Sequence, residues 1–141
     1  MNNMYYNPNM STRLLGIDYG SKRIGIALTN ESGDFAAPYS IVAMTSSGRE
    51  KAADEIVALC REKGVGKIVI GESTDFAGED NRIMKDIRGF AEVLGAKSGL
   101  PVVFHPEFLT SAQAERIQGK TDMLDASAAA IMLQSYVDSQ K

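Results

Sequence analysis

The clearest structural signal in the chain is the segment Leu14-Leu15-Gly16-Ile17-Asp18-Tyr19-Gly20-Ser21-Lys22-Arg23-Ile24-Gly25-Ile26-Ala27-Leu28, in which two apolar, strand-like runs are joined by a glycine turn. Buried strands of an α/β sheet are nearly continuous in Val, Ile and Leu, and Asp18 interrupts such a run. Because burying an unpaired carboxylate is costly, Asp18 predicts a cation, a hydrogen-bond donor or water beside it. Strand alternation puts Gly16 on the face of Asp18. The pattern therefore predicts an open patch of backbone next to the acid.

Composition and length predict one ordinary soluble domain over residues 12–141. The chain has 141 residues, of which 44% are hydrophobic and 23% charged, as in typical globular domains. No run approaches the roughly 18 apolar residues of a membrane span, and the Asn-rich residues 1–11 predict a flexible tail rather than a signal peptide. With Cys60 as the only cysteine there is no disulfide framework, and we expect a cytoplasmic protein without a membrane partner. The net charge of −3 argues weakly against strong nucleic-acid binding.

The periodicity of apolar residues along the chain predicts the element order βββαβαβαα. This order indicates an α/β fold with a mixed five-stranded sheet, three antiparallel strands followed by two parallel ones, and helices on both faces. In the last helix, Leu124, Ala128, Ile131 and Ser135 form the predicted stripe. Pro38 suggests an edge or irregular strand. Strands are predicted at about 13–19, 23–30, 35–44, 67–71 and 101–105, and helices at about 48–63, 81–97, 110–118 and 122–138.

Three carboxylates occupy positions that suggest a metal site. Asp18 lies near the end of the first strand, Glu107 follows the last strand, where α/β folds place ligands, and Asp125 lies in the first turn of the last helix. Grouped carboxylates repel one another unless a cation intervenes. Mg²⁺ prefers such oxygen ligands, and two ions together can promote phosphodiester hydrolysis. The spacing alone leaves simpler roles open: a turn for Asp18, a solvated loop acid for Glu107, and helix capping with Asp122 for Asp125.

Other polar residues are weaker candidates. His105 is the only histidine, and a polar residue at a strand end is the more frequent role than a general base. Lys22 and Arg23 follow the first strand and could approach phosphates. The acidic segment 72–80 is best interpreted as solvated surface. Further basic residues that could contact phosphates are scattered over the chain: Arg82, Lys85, Arg88, Arg116 and Lys120.

Four motifs in the same order resemble the YqgF family, also called RuvX or Holliday-junction-resolvase-like proteins and associated with pre-16S rRNA processing. The resemblance covers nearly everything from Arg13 to Asp138, and the order of the motifs makes it specific. They are Leu15 to Gly25, Lys67 to Gly71 with the following glycine-containing loop, Pro101-Val102-Val103 running into Glu107-Phe108-Leu109-Thr110-Ser111, and Asp125-Ala126-Ser127-Ala128 through Tyr136.

The resemblance implies an RNase H-like fold in which Asp18, Glu107 and Asp125 are the catalytic acids and bind Mg²⁺ or Mn²⁺. It also implies hydrolysis of nucleic-acid phosphodiesters, with maturation of the 16S rRNA 5′ end as the assigned role. Pre-16S rRNA and a ribosomal subunit precursor would then be the partners. Two departures remove positive charge from the expected nucleic-acid face. Phe108 stands where the family usually has Arg, and residues 117–123 are short and nearly neutral.

Three alternatives remain open at this point. The same chemistry could act on branched DNA such as a Holliday junction, which would favour a homodimer with two active sites. The two departures modestly favour a catalytically weak protein that binds nucleic acid or ribosomes. The segment Gly16 to Gly20 also resembles the first phosphate loop of actin-like and sugar-kinase ATPases, but these need two such domains and this chain has room for one.

Overall fold

A computed structural model describes residues 12–20, 22–44, 48–73, 81–107 and 124–141. The described strands form one sheet in the order β3-β2-β1-β4-β5, in which β1, β2 and β3 are antiparallel neighbours and β1, β4 and β5 run parallel. This confirms the predicted mixed sheet. The elements are β1 (Leu14–Tyr19), β2 (Arg23–Thr29), β3 (Ala36–Ala43), α1 (Arg49–Lys63), β4 (Lys67–Ser73), α2 (Asn81–Ser98), β5 (Val102–Glu107) and α3 (Leu124–Ser139).

Two predictions fall outside the described residues: the flexible tail over 1–11 and the short helix over 110–118. No helix among the described segments is long and apolar enough to cross a membrane.

Prolines within strands lie only on the two edges of the described sheet. Pro38 belongs to β3, where the pairing with β2 shifts register between Ile26 and Ala27, which confirms the predicted irregular edge. Pro106 belongs to β5 and pairs with Glu72 of β4. An edge strand tolerates proline because one side of its backbone needs no ladder partner. The strands β4 and β5 continue to Ser73 and Glu107, beyond the predicted ends at Gly71 and His105. In this polar segment the two strands stabilise each other by backbone pairing.

One face of the sheet carries the larger core, beneath α1 and α2. Its residues include fully buried, bulky side chains from the central strands and both helices, such as Leu15, Ile17, Ile56, Phe90 and Leu94. The second face is covered by α3 with smaller residues, among them Ala27, Val69 and Ala129. Alternation along β1 sends Leu15 and Ile17 to the first face, while Leu14 packs on the second. The two faces of β1 thus differ as the sequence predicted.

The patch of backbone at Gly16 is covered, which corrects the prediction that it would be open. A Cβ added at Gly16 would lie 2.9 Å from the Cβ of Leu133 in α3. Atoms of real side chains do not approach that closely, so only glycine lets α3 lie this near to β1. The residue that suggested an exposed surface is therefore a packing contact between the helix and the central strand.

The inward stripe predicted for α3 is also wrong. Ala128 and Ile131 are only partly buried and Ser135 is exposed, and the side chain of Leu124 is outside the described set. The buried side chains of α3 are Ala126, Ser127, Ala129, Ala130, Met132, Leu133, Tyr136 and Val137. In an alanine-rich helix most positions are apolar, so periodicity gives little information about which side faces the sheet.

Helix α1 ends as predicted, and its cysteine is structural. Gly64 adopts a left-handed conformation with φ of 69° and its N–H donates to the Cys60 carbonyl, a common helix C-cap. Cys60 itself is 1% exposed, and burial raises the pKa of its thiol to about 12. Cys60 is therefore a small buried apolar residue rather than a reactive thiol.

Candidate active site

The carboxyl ends of three parallel strands meet at one edge of the sheet, which we call the carboxyl edge: the ends of β1, β4 and β5. The register aligns Ile17 of β1 with Ile70 of β4, and Ile70 with Phe104 of β5. Asp18 follows this row by one residue and Glu107 by three. Because ligands of α/β sheets bind outside the carboxyl ends of strands, this edge is where a site is expected.

Asp18 is the best defined of the three predicted acids. Leu15 and Ile17 lie on the α1–α2 face, whereas Gly16, between them in the sequence, contacts α3. Alternation therefore puts Asp18 on the α3 face of the sheet, where it is half-buried. A half-buried acid at the end of a central strand is consistent with a ligand site.

Glu107 is the last residue of β5, not the first residue after it as the sequence predicted. It pairs with Ser73 of β4, and the prediction ended the strand too early, at His105, because Pro106 follows, which an edge strand accommodates. Position 107 shares a face with Val103, which packs against the α3 cluster, and with His105. The backbone of Glu107 is thus on the face of Asp18, while its side chain lies outside the described set.

Helix α3 is oriented so that its first turn lies at the carboxyl edge. Leu133 contacts Gly16 in the middle of β1, and Tyr136 lies beside Lys67 at the start of β4, with 3.1 Å between Lys67 Nζ and the tyrosine hydroxyl. Helix α3 therefore runs in the direction opposite to the parallel strands, so its N-terminal end lies nearer to their carboxyl ends. Asp125, the second residue of α3, precedes Leu133 by about 12 Å of helix and so lies just beyond the end of β1.

The fold thus brings the backbones of Asp18, Glu107 and Asp125 to one edge and one face. Across two strand spacings, Asp18 and Glu107 are separated by about 10 Å, and along the strands by about 7 Å. Two ions about 4 Å apart, each with ligands at about 2.1 Å, fit between carboxylates with this spacing. Gly71 of β4, which pairs with His105 on this face, adds no side chain at the row that follows Ile70. Three carboxylates also form the oxygen donor set that Mg²⁺ prefers.

Side-chain coordination is a separate matter from backbone placement. Among the side chains that the structure describes, no three His, Cys, Asp or Glu residues form a group that could hold a metal ion. Of the three acids, only the side chain of Asp18 belongs to this set. The fit of Asp18, Glu107 and Asp125 to metal ions therefore rests on register, face and helix direction.

The two predicted phosphate-binding residues lie at the same edge. Lys22 and Arg23 are exposed, and the Lys22 carbonyl accepts a hydrogen bond of 2.9 Å from the Met44 N–H at the end of β3. Arg23 is paired with Ala43 in the β2–β3 ladder. These backbone contacts anchor both basic residues next to the end of β1.

His105 is held in place by α3. Its Nε2 lies 3.0 Å from Ser135 Oγ, and its ring meets the Tyr136 ring edge-on with 5.6 Å between centroids. Both partners belong to α3, and they fix the His105 ring against the helix. This environment favours the structural role that the sequence suggested over a role as general base.

Arg49, at the start of α1, is a basic residue of this edge that the sequence analysis missed. Its guanidinium opposes the rise in the Tyr19 pKa that burial and Asp86 cause, so it lies near the residue that follows Asp18. Its position in the sequence is remote from every motif. The available signal was its place in the first turn of a helix, where a cation opposes the helix dipole.

Solved structures show which class of fold this is. RuvC of Thermus thermophilus in complex with a Holliday junction substrate superposes with a TM-score of 0.62 at 14% identity, over 91% of this chain and 94% of that one. The fowlpox virus Holliday junction resolvase has a TM-score of 0.54 at 18% identity, over 90% and 99% of the two chains. The chain therefore has the RNase H-like fold of these resolvases.

Sequence comparison identifies the family. The model of the RuvX family, described as a Holliday junction resolvase, matches residues 12–139, and the chain belongs to this family. A Pelotomaculum thermopropionicum protein named provisionally as a pre-16S rRNA nuclease is 33% identical over 136 residues, covering 91% of this chain and 88% of its own. A Nitratidesulfovibrio vulgaris protein with the same name is 34% identical over 128 residues, covering 91% and 85%.

Proposed function

We propose that this chain is a metal-dependent nuclease that hydrolyses phosphodiester bonds of pre-16S rRNA, at the 5′ end of the mature 16S sequence. Asp18, Glu107 and Asp125 hold Mg²⁺ or Mn²⁺. The observation that carries the proposal is the meeting of β1, β5 and the start of α3 at the carboxyl edge, on the face where Asp18 is half-buried. The substrate class is supported by the names of relatives that share about a third of their residues with this chain.

Each residue has a defined task in this proposal. The three acids hold the cations, and the bound ions supply Lewis-acid activation of a water and of the leaving oxygen. Asp18, on the central strand β1, would hold the ions together with the other two acids. Lys22 and Arg23 hold the phosphates of the substrate strand at the edge, since their charges are exposed and their backbones are anchored to β3.

The decisive experiment measures cleavage of a labelled pre-16S 5′ leader with Mg²⁺, with Mn²⁺ and with a chelator. Loss of one metal ligand removes several kcal/mol of transition-state stabilisation, so Asp18→Asn should slow cleavage at least about 100-fold. Glu62→Gln, an exposed acid near the end of α1 and away from the carboxyl edge, is the matched control and should cleave at the wild-type rate. Calorimetry with Mn²⁺ gives a second readout, in which Asp18→Asn should weaken binding and Glu62→Gln should not. Cleavage that persists in Asp18→Asn contradicts the mechanism.

A second candidate substrate is branched DNA. It is favoured by the description of the family model and by the fold shared with resolvases. Resolution of a junction needs two active sites and hence a homodimer. Symmetrical nicks in a synthetic four-way junction, together with a dimeric mass in sedimentation, would support this substrate over the rRNA leader. Binding of either nucleic acid without cleavage would instead indicate a binding protein, as Phe108 and residues 117–123, which lie outside the described segments, suggested.

A further inference from the structure

The chain path places the start of α1 at the carboxyl edge. Strand β3 is antiparallel to β2, which is antiparallel to β1, so β3 ends where β1 ends. Arg49 is the first residue of α1, six residues after the end of β3 at Ala43. It therefore lies at the edge of Asp18 but on the opposite face of the sheet, the face covered by α1 and α2.

The guanidinium of Arg49 is held against α2. Its Nη1 lies 3.5 Å from the Asp86 carbonyl, a long hydrogen bond. A Cβ added at Gly89 would lie 2.7 Å from the same atom, so the absence of a side chain at Gly89 makes room for the group. Tyr19, whose ring packs on Phe90 with 5.1 Å between centroids, is close enough for its pKa to be influenced by Arg49. Arg49 is nevertheless exposed to solvent.

The charge of Arg49 has no partner of opposite sign among the described residues within ion-pair distance. Lys97, at the end of α2, shows the contrasting arrangement. Its Nζ lies 3.1 Å from Asp54 and 3.2 Å from Glu50, both on α1, and these two carboxylates raise the pKa of Lys97. The same pair of helices thus neutralises one cation and leaves another, at the carboxyl edge, available to an external anion.

We propose that Arg49 binds a backbone phosphate of the nucleic-acid substrate, on the α1–α2 side of the carboxyl edge. The inference rests on the proposed nuclease function and extends its binding surface. A guanidinium forms paired, charge-assisted hydrogen bonds with phosphate oxygens, and one already oriented by Asp86 and Gly89 loses little freedom on binding. A strand that crosses the edge passes Asp18 on the α3 face, then the exposed Lys22, then Arg49. The substrate therefore contacts both sides of the sheet.

The test uses two arginines of α1 with equivalent contacts. Arg61 donates from Nη2 to the Lys97 carbonyl at 3.3 Å and is equally exposed, but it lies near the opposite end of α1. Binding of the full chain to the pre-16S leader RNA and to a four-way DNA junction is measured between 50 and 200 mM KCl, with a chelator to prevent cleavage. Arg49→Ala should reduce the slope of log K against log salt by about 0.7–0.9, the value of one phosphate contact, while Arg61→Ala should leave it unchanged.

Arg49→Lys separates charge from packing, because it should keep most of the wild-type slope. The inference is overturned if Arg49→Ala binds with the wild-type slope, or if both alanine variants reduce the slope equally, which indicates net charge rather than a local contact. Neither result affects the nuclease proposal, which depends on Asp18→Asn. Failure of the wild-type protein to bind either probe would instead reject the proposed function and this inference together.

Discussion

The two faces of the sheet differ in the size of the side chains that cover them. We call the face covered by α1 and α2 the thick face and the face covered by α3 the thin face. The α1–α2 face is filled with bulky side chains, such as Leu15, Ile17 and Phe90, all fully buried. The α3 face is thin, because Gly16 and a helix rich in alanine let α3 approach β1 closely. The predicted metal ligands belong to the thin face. Close packing of α3 on the central strand therefore sets the position of its first turn relative to Asp18.

The two faces are therefore sensitive to opposite kinds of substitution, one affecting mainly stability and the other mainly function. On the thick face, large side chains supply the hydrophobic stabilisation, so shortening them is harmful. On the thin face, small residues keep the helix close, so enlarging them is harmful. A substitution that increases the distance between α3 and the sheet would move Asp125 away from Asp18 without removing any apolar contact from the larger core.

The largest expected effect is from Phe90→Ala on the thick face. Phe90 belongs to α2 and is fully buried, and its truncation should lower the free energy of unfolding by about 3–5 kcal/mol. Urea denaturation followed by circular dichroism measures the change. The matched control is Phe104→Ala, since Phe104 is 38% exposed on the edge strand β5. Both side chains lie on the thick face, so equal losses for the two variants would mean that the burial of Phe90 adds nothing to stability.

The next effect is from Gly16→Ala on the thin face. The added Cβ would meet the Leu133 Cβ at 2.9 Å, so we expect a loss of about 1–3 kcal/mol together with slower cleavage. Because the clashing atom is bonded to the α3 backbone, shortening Leu133 cannot relieve it, and adding Leu133→Ala should not rescue stability or activity. Rescue by that second substitution would show that α3 is not held at a fixed distance from the sheet.

Gly95→Ala is the control for replacing a glycine. Its added Cβ would have only Val102 Cγ2 nearby, at 3.8 Å, an ordinary contact. Gly95 lies inside α2, where alanine is the better helix former, so this variant should gain about 0.5–1 kcal/mol. A loss at Gly95 would indicate that any glycine replacement harms this fold, and the result at Gly16 would then not be specific to the thin face.

A further effect concerns the pH dependence of stability on the thick face. Burial raises the pKa of the Cys60 thiol from near 9 to about 12, so the thiol ionises in the unfolded chain first. Its contribution is therefore fully present below about pH 9 and is lost as pH rises towards 12, by about 1.4 kcal/mol at pH 10. The difference in unfolding free energy between wild type and Cys60→Ala, measured at pH 8 and pH 10, should shrink accordingly. A constant difference would indicate that the thiol is not desolvated.

Local patterns along the chain were enough for much of the fold. Alternation in β1 predicted the faces of Leu15, Ile17 and Asp18, and the apolar runs with their helical spacing predicted the mixed sheet and its helices. Helical spacing indicated that a helix ends at about residue 63, and Pro38 indicated an edge strand. These features were predictable because each depends on backbone preferences or on burial of one element, which a few neighbouring residues determine.

Other features depend on how distant segments meet, and only the tertiary structure decided them. The side of α3 that faces the sheet, the extension of β5 to Glu107 and the place of Arg49 beside Tyr19 were wrong or absent in the sequence-based interpretation. An alanine-rich helix has no marked apolar side, a proline is tolerated where its strand lies at an edge, and an arginine far from any motif reaches the site only through the chain path. In each case the deciding energy comes from a contact between residues far apart in the chain, which local periodicity does not encode.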